Sequence, residues 1–124
     1  MPIVHAHITA GSSAQQKNTL LRTASQAVVD SLGAPLPSVR MMLHEVAREH
    51  IMVGGETGRE SVVFHVQLIA GRTEAQKQAL FTALTQAAVG ALGVDGANVR
   101  VVAQDVPNTD MGMANGASAK SLGR

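Results

Sequence analysis

The chain has 124 residues, 45% of them hydrophobic, and a net charge of +1, which suits one domain with an ordinary core and leaves no basic excess for nucleic acid or an anionic membrane. It has no cysteine, excluding disulfides, thiolate catalysis and cysteine-ligated zinc. No apolar run approaches the roughly 20 residues of a membrane span and no basic-then-apolar leader opens the chain, so the expectation is a cytoplasmic protein free of membrane.

After Met1-Pro2, residues 3–9 alternate apolar Val4, Ala6 and Ile8 with His5, His7 and Thr9, the period of a strand with one buried face. Ser13 to Gln16 has the form of a capping box and starts a helix near residue 14 that buries Leu20, Ala24, Ala27, Val28 and Leu32 and ends at Gly33. Residues 39–46 are strand-like, and Gly54 to Gly58 form a turn-rich link. The same order then returns. A strand over 62–69 carries Phe64, Val66 and Leu68 inward, and Thr73 to Gln76 caps a second helix from about residue 74. That helix is expected to bury Leu80, Leu84, Ala87, Ala88 and Leu92 and to end at Gly93, before a strand over 99–106. Beyond Pro107 the pattern fades, and Ala114 to Arg124 reads as a hairpin or loose tail.

Laying residues 3–46 beside 63–106 without a gap pairs His5 with His65, Gly11 with Gly71, Gln16-Lys17 with Gln76-Lys77, Leu32-Gly33 with Leu92-Gly93, and Val39-Arg40 with Val99-Arg100. The chain is a duplication, and two copies predict a compact two-fold unit rather than a solenoid. The expected architecture is α+β: a tandem β-α-β repeat, with a four-stranded mixed sheet and both helices on one face. It is one domain over residues 1–124, with a first repeat and link over 2–58 and a second repeat and tail over 62–124. Strands joined by a crossover helix are parallel within each repeat. The other sheet face, with Ile3, Val63 and Ile69, is left to be covered by oligomerisation.

The ordered set Pro2-Ile3, Gly11, Gln16-Lys17, Ala34-Pro35-Leu36, Ser38-Val39-Arg40 and His50 before Gly54-Gly55-Glu56 resembles 4-oxalocrotonate tautomerase over nearly the whole chain, and the tandem arrangement resembles the fused members of the tautomerase superfamily. The resemblance implies the tautomerase/MIF-like fold, in which a fused chain replaces a dimer and three chains assemble as a homotrimer with their sheets inward. It also implies that Pro2, freed by removal of Met1, is the catalytic base. A terminal proline is a secondary amine, and burial beside a guanidinium lowers its pKa toward neutrality. The implied reaction converts 2-hydroxydienoates or enolpyruvates, small unsaturated mono- or dicarboxylic acids, to conjugated keto acids without a cofactor.

The second copy lacks this chemistry, because the position of Pro2 is taken by the internal Val62. The carboxylate-binding arginine that follows the glycine turn in the family is Ser12 in the first copy and Arg72 in the second. The family's arginine reaches the proline of the opposite half, so Arg72 would serve Pro2, and both losses fall on one defunct site. Arg40 and Arg100 both stand at the family's second arginine, a planar donor fork suited to a carboxylate or a carbonyl oxygen, and Arg100 is favoured to complete the site. The pocket aromatic of the family maps to Ile51 and Met111. Relatives that hydrate or dehalogenate unsaturated acids use an arginine where this chain has Ile69 and a water-activating carboxylate where it has Met113, which weakens that rival. A further rival is a non-catalytic trimeric binding protein that keeps Met1.

Other groupings are set aside. His5 and His7 share a strand face but lack a third metal ligand, and histidines of a subunit interface are the better reading. His44 and His50 read as surface or rim residues, Met41-Met42 as core filling, and Lys17 and Lys77 as solvated. The glycines form no nucleotide-binding pattern, so no cofactor is expected.

Overall fold

Ser13 and Thr73 close full capping boxes with Gln16 and Gln76, and the helices they start have the same length in both halves of the computed structural model, which describes residues 1–124: α1 over Ala14–Leu32 and α2 over Glu74–Leu92. Each stops where a glycine takes the left-handed conformation, Gly33 at φ 67° and Gly93 at φ 68°, a geometry that costs other residues steric strain. The strands are β1 (Ile3–Thr9), β2 (Arg40–Val46), β3 (Met52–Val53), β4 (Glu56–Thr57), β5 (Val62–Ile69) and β6 (Val99–Val106).

β2-β1-β5-β6 form a four-stranded sheet, parallel within each repeat and antiparallel where β1 meets β5. The expected mixed sheet is therefore observed, with the short β3–β4 ribbon around Gly54-Gly55 as an added element. Val4, Ala6 and Ile8 of β1 and Val62, Phe64, Val66 and Leu68 of β5 point to the helices and form the core with Leu20, Ala24 and Val28 of α1 and Leu80, Leu84 and Ala88 of α2. Within α2, Ala91 takes the buried position expected of Leu92, and Ala87 and Leu92 pack at the margin of the core.

The face away from the helices carries rows set by the register. Arg40, Ile3, Gln67 and Gln104 lie abreast, then Met42, His5, His65 and Val102, then His44, His7, Val63 and Arg100. Met41 and Met42 split across the two faces: Met41 packs on the core, whereas Met42 is 41% exposed on the open face and is not core filling. Lys17 and Lys77 are not simply solvated either. They form matched ion pairs with Glu45 at 3.2 Å and Asp105 at 2.9 Å, tying each helix start to the end of the second strand of its repeat.

The stretch after Pro107 is an ordered hairpin rather than a loose tail. Gly112 and Ser118 bridge, the Met113 N–H donates to the Ala117 carbonyl at 2.7 Å, and the Ala119 N–H donates to Met111 at 2.9 Å. Met111 and Ala119 fold over Ile69 and bury it, so one of the three apolar residues expected to need a neighbouring chain is covered by the chain itself.

Candidate active site

The antiparallel register sets the start of β1 against the end of β5, with Ile3 opposite Gln67. Met1 and Pro2 thus arrive beside the turn that leads from Ile69 into α2. In that turn Gly71 has φ 127°, open to glycine and strained for other residues, and Arg72 follows immediately. Pro2 is fully buried, and its carbonyl accepts the Arg40 N–H at 3.0 Å. Met1, Val106 and Met113 pack around the apolar group of Ile69, Met111 and Ala119.

A cavity of about 410 Å³ opens here, lined by Met1, Ile69, Ala70, Gly71, Arg72, Gln76 and Arg124. Arg72 is held over it by a weak bond from its Nη1 to the Ile69 carbonyl at 3.4 Å. Gln76 spends its side-chain oxygen on the Thr73 N–H at 2.9 Å. No aspartate or glutamate lines the cavity. The terminal amine is pushed below its ordinary range, first by burial and then by the positive charges of Arg72 and Arg124. Such an amine is more readily neutral near pH 7 and able to accept a proton.

The structure thus brings Pro2, Arg72, Ile69, Met111 and Met113 of the sequence-derived candidates to one end of the sheet. It separates Ile51, which lies in a cavity of about 380 Å³ at the opposite end with His7, Ile8, Val46, His50, Ser61 and Val63. There the strand start is pinned rather than free: the Ser61 N–H donates to Thr9 Oγ1 at 3.0 Å, and Thr9 Oγ1 donates to the Ser61 carbonyl at 3.3 Å. Arg40 and Arg100 are twins in conformation, each giving Nη1 to a carbonyl three residues earlier, Pro37 at 2.8 Å and Ala97 at 2.7 Å. Arg40 sits at the Pro2 end of its own chain and Arg100 at the far end, paired with Val63, and neither lines the cavity.

Arg124 was missed in the sequence because it belongs to no repeat and follows a run of small residues, so only the folded hairpin reveals its place. His44, read as a rim residue, stacks on His7 with ring centroids 4.6 Å apart and shares a 2.8 Å hydrogen bond with His5. A groove of about 520 Å³ between α1 and α2 shares no lining residue with the Met1 cavity and is lined chiefly by small and neutral polar residues with Asp30.

The family model described as "Tautomerase enzyme" matches residues 2–59 and again 63–119. The 2-hydroxymuconate tautomerase of Pseudomonas putida is 50% identical over 56 residues, which is 45% of this chain and 89% of that protein. The enzyme of the same name from Stutzerimonas stutzeri is 46% identical over 59 residues, 48% of this chain and 94% of that one. Across both repeats, a fused 4-OT solved as a wild-type symmetric trimer is 49% identical with a TM-score of 0.96, covering 98% of this chain and 99% of that chain. A protein solved after inactivation by 2-oxo-3-pentynoate is 44% identical with the same TM-score and coverage.

Proposed function

Since the chain belongs to the tautomerase family, we propose that it converts a 2-hydroxydienoate or enolpyruvate to its conjugated keto acid with the amine of Pro2 as the proton carrier. The observation that carries this reading is the meeting of the chain start with Arg72 at one cavity, while the counterpart positions Val62 and Ser12 lack both groups. The amine seen here belongs to Met1. Removing Met1 moves it one residue along, onto Pro2, which is buried while Met1 is in place, and an amine kept from water there would likewise disfavour the ammonium.

In this mechanism the neutral Pro2 nitrogen takes the proton from the enol hydroxyl, and the resulting ammonium returns a proton to carbon further along the conjugated system. Arg72 holds a carboxylate through paired N–H donors. Ile69, Met111 and Met113 wall off water, which strengthens these charge contacts and gives no base for hydration. The absence of an aspartate or glutamate from the cavity lining weighs against the hydratase reading, because no carboxylate side chain there would activate water.

The working unit in this proposal is a homotrimer. A closed ring of three copies uses two different patches on each copy, and the open sheet face with Ile3, Val63, Met42 and Val102 is the apolar surface available to it. The second arginine is Arg100 of a neighbouring copy, because Arg100 lies at the far end of its own sheet, and Arg40 is the in-chain alternative. The deciding experiment is ketonisation of 2-hydroxymuconate, followed by ultraviolet absorbance, with protein whose mass establishes loss of Met1. Pro2→Ala is expected to lower kcat by roughly a hundredfold or more, and full activity in that variant overturns the assignment.

A further inference from the structure

We propose that Arg124 is a second carboxylate-binding residue of the Pro2 cavity, acting in the same chain as Arg72 and selecting dicarboxylic over monocarboxylic enols. The proposal deepens the functional reading above and rests on it. Its basis is the position of Arg124 in the cavity lining together with Met1, Ile69 and Arg72.

The guanidinium of Arg124 is uncommitted. Arg22, Arg40, Arg48, Arg59, Arg72 and Arg100 each donate a side-chain hydrogen bond, to Asn18, Pro37, Glu60, Glu56, Ile69 and Ala97 respectively. Arg124 alone has no side-chain bond or ion pair within the chain, although the arginine fork ordinarily finds an acceptor.

Its backbone, by contrast, is fixed. The Arg124 N–H donates to the Ala119 carbonyl at 2.9 Å, Asn108 Nδ2 donates to the Arg124 carbonyl at 3.0 Å, and Gly123 turns the chain at φ 74°. Ala119 is itself packed on Ile69 at the cavity floor. The side chain is therefore delivered from an anchored point, which lowers the entropy lost when an anion is bound.

Two guanidiniums then face one apolar-floored cavity whose lining contains no acidic residue. An anionic ligand supplies a countercharge that no side chain of the lining provides, and a dicarboxylate can satisfy Arg72 and Arg124 together. The repulsion of the terminal amine by both residues agrees with this layout. Nothing comparable exists at the opposite cavity, whose lining contains no arginine.

The test compares Arg124→Ala and Arg124→Lys with the unaltered protein on 2-hydroxymuconate, a dicarboxylate, and phenylenolpyruvate, a monocarboxylate. Arg124→Ala should raise KM for the dicarboxylate roughly tenfold and for the monocarboxylate far less, with partial recovery in Arg124→Lys. A nitrogen NMR titration of the terminal amine, which needs no turnover, should show its pKa rising in Arg124→Ala. Equal changes on both substrates, or none, would overturn the role of Arg124. Failure of the Pro2 assignment is read separately, from Pro2→Ala kinetics, and the KM split remains measurable on whatever activity that variant keeps.

Discussion

His5 and His65 stand directly opposite each other across the β1–β5 pair, and they are also counterparts in the two repeats. The axis that relates the repeats therefore passes between them, and everything that differs between the halves lies at opposite ends of the sheet. Met1, Pro2 and Arg72 mark one end, and Ser61, Val62 and Ser12 mark the other.

This separation makes the effects of matched substitutions unequal. Arg72→Ala is expected to cost roughly ten- to a hundredfold in kcat/KM, the value of charge-assisted hydrogen bonds to one carboxylate. Ser12→Arg restores the guanidinium at the other end but should add no activity, because Val62 is an internal residue with an amide nitrogen. Steady-state kinetics of the two variants checks both statements, and a gain in Ser12→Arg would mean that the far cavity can work without an amine. Under the same reading Arg100→Ala should lower kcat/KM more than Arg40→Ala.

The repeat, the strand period and the capping boxes made the fold legible, because these signals depend on local chemistry and recur twice. Of the site residues that the resemblance implied, Pro2, Arg72, Ile69, Met111 and Met113 lie at one end of the sheet. Ile51 does not join them, since the antiparallel register sends the two loop ends to opposite cavities. Arg124 and the cover over Ile69 depend on a hairpin whose small residues carry no periodic signal. The matched Lys17–Glu45 and Lys77–Asp105 pairs likewise link a helix to a strand, a relation that spacing along the chain does not encode.

Phe64 is fully buried at the centre of the core, between strands and helices of both repeats. Phe64→Ala removes the ring and leaves a cavity that close-packed neighbours only partly fill, so a loss of about 3–5 kcal/mol is expected. Chemical denaturation gives the value. A loss under about 1 kcal/mol would show that the two helices can collapse into the space.

The open face should respond to acid. His7 is held below its ordinary pKa, first by burial, then by His44, His5 and His65, which face it from β2, β1 and β5. Arg40 and Arg100 share that face, while Glu45 and Asp105 are engaged with Lys17 and Lys77 of the helices. A histidine with a folded pKa below its unfolded one binds fewer protons when folded. Stability is then full above the unfolded value of about 6.5 and falls as pH drops from there toward the folded value. If copies assemble through this face, dissociation should follow the same window. Sedimentation and melting temperature between roughly pH 7.5 and 5 provide the check, and His7→Gln should flatten both profiles. Unchanged profiles in that variant would assign the acid response to other groups.

The final prediction concerns the amine itself. A base must be unprotonated to act, so kcat/KM should fall on the acid side with the pKa of the terminal amine in the free protein. Burial, Arg72 and Arg124 all oppose protonation of the Met1 amine, and a Pro2 amine in the same surroundings should likewise place the acid limb below the range of a free terminal amine. Removing one positive neighbour reverses part of that effect, and Arg72→Ala should move the limb to higher pH as well as lower its height. A substitution that only loosened the turn around Gly71 would reduce the height without moving the limb. The pH profile of Arg72→Ala therefore separates an electrostatic role in setting the amine from a structural role in holding the turn.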